Sequence, residues 1–413
     1  VAGLRVQPSG EVRGDLIERV AAARVQTDQL FDILKPRALY ERPIPERHRL
    51  IFYLGHLEAF DWNQIGRAGL GAPSFHSGFD QLFEFGIDPP PGKAPEDRPS
   101  DWPSVAEVRA YNTRVREQLD ELLMDAPSDL LNIAIEHRMM HAETLAYLFH
   151  NLAYEHKHPV PADTRLTARP LLVEHQMVSI PSGSATLGQR AGEFGWDNEF
   201  DEHRVQVAAF QIRKYKITNA EYLEFVRAGA SPPHFWARRD GQWFYRGMFA
   251  EVPLPLDHPV YVTYREAAAY AQWSGKSLPT EAQFHRAAYG TTSHYEQAYP
   301  WGEPEPGRMN GNFDFQHWDP VAVTSAPHGD SAFGVSQLVG NGWEWTVTPF
   351  APFAGFCPYP TYPGYSQNFF DGEHYVLKGA SPRTAACFLR RSFRNWFRPD
   401  YPYVYASFRL TEN

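Results

Sequence analysis

Cysteine is nearly absent from this 413-residue chain: only Cys357 and Cys387 occur, with no CxxC pair. That excludes a disulfide framework and a cysteine-built zinc site, and it leads us to expect a reduced, cytoplasmic setting. Long apolar runs are missing too. No uninterrupted stretch would cross a bilayer as a helix, and no charged-then-apolar leader is present. Charge of one sign is nowhere concentrated. The formal net charge is −10, with acidic and basic residues interspersed, which argues against nucleic acid or an anionic membrane as a partner. Internal repeats and low-complexity tracts are also lacking. Aromatics, by contrast, are abundant. The 11 Trp, 21 Tyr and 28 Phe can fill cores and can also line pockets for organic cations.

The chain has two textures. Segments near 12–35, 46–69, 104–124 and 128–156 carry apolar residues at helical spacing and predict a four-helix bundle over residues 1–156. Pro-rich stretches, Asp88–Gly92 and Asp97–Pro103, separate some of them. Ser128, after Ala126-Pro127, is the expected cap of the fourth helix, with Asp129 in its first turn. A polar, Pro-containing linker is placed at 157–171. From 172 to 413, Gly, Pro and aromatics rise and long amphipathic runs become scarce. Short strand-like pieces appear at Met177–Ile180 and Val205–Ile212, with helices expected at Asn219–Arg227, capped by Thr218, and Tyr264–Ser274. The fold class expected is therefore multidomain, α then irregular α+β.

Three histidines interrupt the apolar stripes of the first half. The fourth helix reads Leu130, Ile133, Ala134, His137, His141, Leu145, Leu148 along one face, and His56 lies between Tyr53 and Phe60 on another. Burying an unpaired imidazole costs roughly 1–3 kcal/mol, so each ring needs a partner. One metal would serve all three and leave coordination positions open for chemistry. A buried histidine–glutamate network using Glu58, Glu136 or Glu143 is the alternative. All-nitrogen ligation suits zinc or iron.

The second half carries an ordered series: Pro259-Val-Tyr-Val262, Leu278-Pro-Thr-Glu-Ala-Gln-Phe284, Tyr299-Pro-Trp-Gly302, Val339-Gly-Asn-Gly-Trp-Glu-Trp-Thr346, Leu377-Lys-Gly-Ala-Ser381 and Ser407-Phe-Arg409. This series resembles the formylglycine-generating-enzyme (sulfatase-modifying factor) fold, a C-type-lectin-like α+β domain. In it Thr280, Glu281, Asn341, Trp343 and Trp345 are expected to shape the scaffold. Cys357 and Cys387 do not match that family's reactive cysteines, so protein-cysteine oxidation is not expected. The first half resembles the DinB helical-bundle family. The two together resemble the iron-dependent sulfoxide synthases of ergothioneine and ovothiol biosynthesis and the related selenoneine synthases. The pieces that carry this are Gly55–Asn63, Met140–Thr144, Gly195–Glu199 and Arg391–Trp396.

The resemblance implies that His56, His137 and His141 bind Fe(II). It implies that the enzyme uses O2 to form a carbon–chalcogen bond at imidazole C2 of hercynine, the trimethylated betaine of histidine. Asn395 and Trp396 match a hercynine-contacting pair, and Tyr362 and Tyr365 a pocket-lining element with a catalytic phenol. Arg394, beside Arg390 and Arg391, is a candidate for a carboxylate, although ion pairs within the domain are the commoner fate of such arginines. Two positions depart from the sulfoxide synthases: Met140 replaces a glutamine that contacts hercynine, and Phe397 replaces an aspartate near the thiol donor. The stretch Phe79–Gly86 offers phenylalanines where another branch has tyrosines, and only Lys93 and Arg98 are basic nearby. A selenosugar donor fits such a pocket better than cysteine or γ-glutamylcysteine, which stay as the alternative. Two other classes remain: a non-catalytic ligand-binding module and a zinc-dependent thiol transferase.

Overall fold

A computed structural model describes residues 10–86, 95–160, 173–360 and 362–412 in two compact units, Val1–Val160 and Pro161–Asn413. The run 88–92, Lys93 and linker residues 161–171 lie outside the described residues.

The first unit is helical: α1 (Gly10–Phe31), α2 (Leu50–Asp61), α3 (Ser77–Phe85), α4 (Val105–Leu122) and α5 (Ser128–Asn151). The four long helices expected are present, and α3 is an addition. α2 is buried on every side, as a helix apolar all round must be, and packs against α3, α4 and α5. Beyond Asp61 it runs on as a π-helical stretch, Trp62–Gly69. α4 opens on a reciprocal cap. Ser104 Oγ accepts from the Glu107 amide, while the Glu107 carboxylate accepts from the Ser104 amide at 2.8 Å. Its buried stripe is Val108, Tyr111, Val115 and Leu119. Ser128 does not cap α5: it is the first helical residue, and Pro127 occupies the cap position with no side-chain hydrogen bond. The unit extends past residue 156, because buried Lys157 donates to the Phe149 and Leu152 carbonyls and closes the end of α5.

Among the described residues, the second unit builds twelve short strands and three α-helices. Its first part holds β1 (Met177–Ile180), β2 (Gly183–Leu187), β3 (His203–Val207), β4 (Phe210–Arg213) and α6 (Asn219–Arg227). The middle holds β5 (Trp236–Arg239), β6 (Gln242–Arg246), β7 (Glu251–Pro253), α7 (Tyr264–Trp273) and α8 (Glu281–Tyr289). The last part holds β8 (Gly342–Pro349), β9 (Tyr375–Ala380), β10 (Asn395–Phe397), β11 (Ala406–Ser407) and β12 (Thr411–Glu412). The strand expected over Val205–Ile212 is two strands, parted at Ala208-Ala209, that join different sheets. The sheets run β1-β4-β12, β2-β3, β5-β6-β7 and β10-β9-β8-β11, the last antiparallel except for β11 on β8.

Thr218, Thr263 and Thr280 cap α6, α7 and α8. Phe284, Ala287 and Ala288 of α8 fill the core against Ile180, Ile212, Val335 and Leu338. Buried Glu344 on β8 pairs with Lys216 at 2.8 Å and with Arg409 at 2.7 Å, tying the four-stranded sheet to the ends of β4 and β12. Asn341 (φ 63°) turns the chain into β8 in the left-handed region, where its side chain bonds Val321 through both N–H and C=O. Trp345 donates its indole N–H to the Val262 carbonyl at 2.9 Å. These residues act as scaffold, as their motif implies.

Candidate metal centre

α2 brings up His56 and α5 brings up His137 and His141 from consecutive turns of one face. One ring nitrogen of each lies within 4.8 Å of those of the other two. His56 Nε2 stands 3.2 Å from His141 Nε2. Two imidazole nitrogens about 2.1 Å from one ion, at angles of roughly 90–110°, stand about 3.0–3.4 Å apart. The pair therefore fits a shared cation. Phe60 stacks on His137 with centroids 3.4 Å apart, and Phe52 stacks on His56 at 4.8 Å, so the rings have little freedom to turn.

His56 Nδ1 lies 2.6 Å from the Phe83 carbonyl of α3. A carbonyl only accepts, so Nδ1 carries the proton and Nε2 presents a lone pair to the centre. The contact depends on Gly55. A Cβ there would sit 2.4 Å from the Phe83 ring, so only glycine lets α3 approach α2 this closely. Burial pushes the His56 pKa down to about 4 and takes His137 and His141 well below the ordinary value. All three are thus neutral donors at physiological pH, the form a metal takes. The donor set fits Fe(II) or Zn(II) and leaves positions open.

Arg138 follows His137 in sequence and reaches into a buried ion network. Its Nη2 donates to Glu58 at 2.9 Å, Asp61 at 2.7 Å and the Leu57 carbonyl at 3.1 Å, all on α2. Arg116 of α4 reaches the same Glu58 at 2.6 Å. Against the alternative of a histidine–glutamate network, Glu58 answers arginines. Burial alone would raise its pKa, but Arg138 and Arg116 bring it down to about 2. The network fixes α5 against α2, and with it His137 and His141 against His56. Glu136 is buried and Glu143 half-buried on α5.

In the second unit Tyr362, Tyr365 and Trp396, three of the expected pocket residues, form one aromatic cluster. Trp396 on β10 stacks on Phe350 (4.2 Å, 7°), and Tyr365 meets its edge at 5.4 Å. Tyr362 lies 5.9 Å from Tyr365, and Tyr365 stacks on buried Trp196 at 3.9 Å. Asn395 Oδ1 accepts from the Trp396 amide at 2.9 Å. Phe397 stacks on Tyr401. Arg394 is buried among internal partners: Glu281 at 3.1 Å, the Ala351 and Asn198 carbonyls, and the rings of Phe350 and Phe353. Its guanidinium ties the residue before the Trp396 strand to Glu281 of α8, the internal ion pair that is the commoner fate of such arginines. Arg390 is bidentate to Glu199, and Arg391 faces Glu202 and Glu296. Met140 is half-buried one residue before His141.

Sequence reading gave no role to the Phe83 carbonyl, Gly55, Arg138 or Trp196. α3 had a signal: Phe79, Leu82 and Phe83 at helical spacing, closed by Gly86 (φ 79°).

Comparison with known proteins places both units. Residues 19–158 match the DinB superfamily, and residues 164–413 match the sulfatase-modifying factor enzyme 1-like domain. Hercynine oxygenase of Mycobacterium tuberculosis is 34% identical over 74% of this chain and 78% of its own length. Hercynine oxygenase of Mycolicibacterium thermoresistibile is 31% identical over 96% of this chain and 94% of its own. Ergothioneine biosynthesis protein 1 of Neurospora crassa is 29% identical over 92% of this chain, which spans 56% of that longer protein.

Proposed function

This chain belongs to the hercynine oxygenase family, and from that premise we propose that it holds Fe(II) and uses O2 to join a chalcogen to imidazole C2 of hercynine. The observation that carries the reading is the convergence of His56, His137 and His141, three neutral imidazoles with one lone pair fixed by Phe83. Iron would supply the electron transfer to O2 that no side chain offers. The protein's own part is to hold, orient and protonate. His56, His137 and His141 bind the ion. The faces of Trp396 and Tyr365 receive the trimethylammonium group, each face worth perhaps 0.5–2 kcal/mol. Asn395 sets the Trp396 backbone. Tyr362 offers the phenolic O–H, which is protonated at neutral pH even at its ordinary pKa, as the proton donor, and burial shifts that pKa upward.

For the donor, Met140 and Phe397 stand where the sulfoxide synthases carry an amide and an acid, and the loss of those polar groups favours a selenosugar. The name of the Neurospora relative, ergothioneine biosynthesis, favours a thiol such as cysteine or γ-glutamylcysteine instead. The test is an assay begun without oxygen, then aerated, offering hercynine with each donor in turn and reading the products by mass. A hercynine adduct that forms only with iron and O2 supports the reading, and its mass names the donor. No adduct with any donor defeats it.

A further inference from the structure

The second unit carries an open cleft of about 780 Å³, walled by β2 and β3 on one side and by the loop 291–303 on the other, with α8 beneath. None of its described lining residues belongs to the Trp396 cluster or to the histidine centre. Its floor is rigid. Buried Arg286 of α8 donates to the Pro181 and Ser182 carbonyls at 3.2 and 3.4 Å and to the Thr291 carbonyl at 3.4 Å, so one guanidinium joins both walls. Gly183 and Gly290 let the walls close on it, since a Cβ at these positions would stand 2.6 and 2.5 Å from the guanidinium. The Thr186 amide donates to the Glu296 carboxylate at 2.8 Å and ties β2 to the loop a second time.

Four arginines and four glutamates line the cleft, so its charge balances. Two of each form an alternating row. Arg190 lies 3.2 Å from Glu202, Glu202 3.6 Å from Arg391, and Arg391 3.3 Å from Glu296. A charged ligand is attracted by one member of such a row and repelled by the next. A hydroxyl suits it better, because it donates one hydrogen bond and accepts two. Neighbouring hydroxyls can then give to a glutamate and take from an arginine, each in a charge-assisted bond. The same cleft holds Tyr295. Its residue exposure is 56%, yet its hydroxyl donates to Glu303 at 2.7 Å, which fixes where the ring stands. An exposed aromatic face held in place within a polar cleft is a platform for the C–H face of a ring compound.

We propose that this cleft binds an uncharged saccharide, with the row from Arg190 to Glu296 meeting its hydroxyls and Tyr295 packing on one face of a pyranose ring. The volume falls within the span of roughly 300–1,000 Å³ common to small-ligand sites. Nothing in the assignment depends on hercynine or on iron.

The test titrates the full chain with glucose, N-acetylglucosamine, maltose and inorganic phosphate in turn, read by saturation-transfer NMR and calorimetry. At least one sugar should bind with a Kd on the order of 1 mM or tighter, and phosphate should not displace it. Tyr295→Ala removes the platform and should weaken that sugar about tenfold or more. Glu202→Gln keeps the shape, removes one charged acceptor, and should weaken it about threefold or more. Both residues are exposed, so neither change reaches the core. Unchanged sugar affinity in either variant overturns the assignment, as does wild-type protein that binds none of the three sugars. Phosphate that binds more tightly than every sugar overturns it in favour of an anion site.

Discussion

At the scale of single residues, the metal centre depends on small features around the histidines. Gly55 is one. The Phe83 ring is fully buried, so it cannot move aside for a methyl group. Gly55→Ala should cost about 1–3 kcal/mol from overpacking and displace the Phe83 carbonyl from His56 Nδ1. We expect a lower midpoint in urea and weaker iron binding together. A variant with unchanged iron affinity would show that the carbonyl does not orient the ring. His141→Ala removes one nitrogen of the 3.2 Å pair and should abolish both iron retention and turnover, checked by metal analysis and oxygen uptake. Histidines on an apolar stripe were legible in the sequence because a polar ring there needs a reason. The partner of Arg394 was not. Adjacency to Asn395 and Trp396 says nothing about where a long side chain ends, and Glu281, 113 positions away, claims it.

At the scale of elements, α2 and α5 work as a pair held by ions. Arg138, Glu58 and Asp61 are all buried, so breaking the network leaves carboxylates uncompensated in the core. Arg138→Met should destabilise the protein by about 3–5 kcal/mol. The triple change Arg138→Met, Glu58→Gln, Asp61→Asn should recover part of that loss by removing the stranded charges. Chemical denaturation of the single and triple variants checks this, and a triple variant no more stable than the single one would contradict it. The long helices were readable from their periodicity. α3 carried only a short signal, because nine residues are too few to be stable by propensity and its register comes from packing Phe83 under Gly55. The break between β3 and β4 was hidden for a related reason. The run Val205–Ile212 has strand composition throughout, and only tertiary pairing sends its halves to different sheets.

At the scale of the whole molecule, the two units match two families in the order the motifs gave, and no helix among the described residues is long and apolar enough to cross a membrane. The scaffold motifs Asn341 to Trp345 were legible because they serve the fold, whereas the donor could not be read, since Met140 and Phe397 speak only through groups they lack. The central claim is that three imidazoles hold one catalytic ferrous ion. Its most direct measurement is oxygen uptake by metal-stripped protein reconstituted with Fe(II) or Zn(II), in the presence of hercynine and the donors. Uptake only with iron, only with hercynine, at one ion per chain and lost in His141→Ala is the predicted result. Turnover supported by zinc, or surviving in His141→Ala, would contradict it.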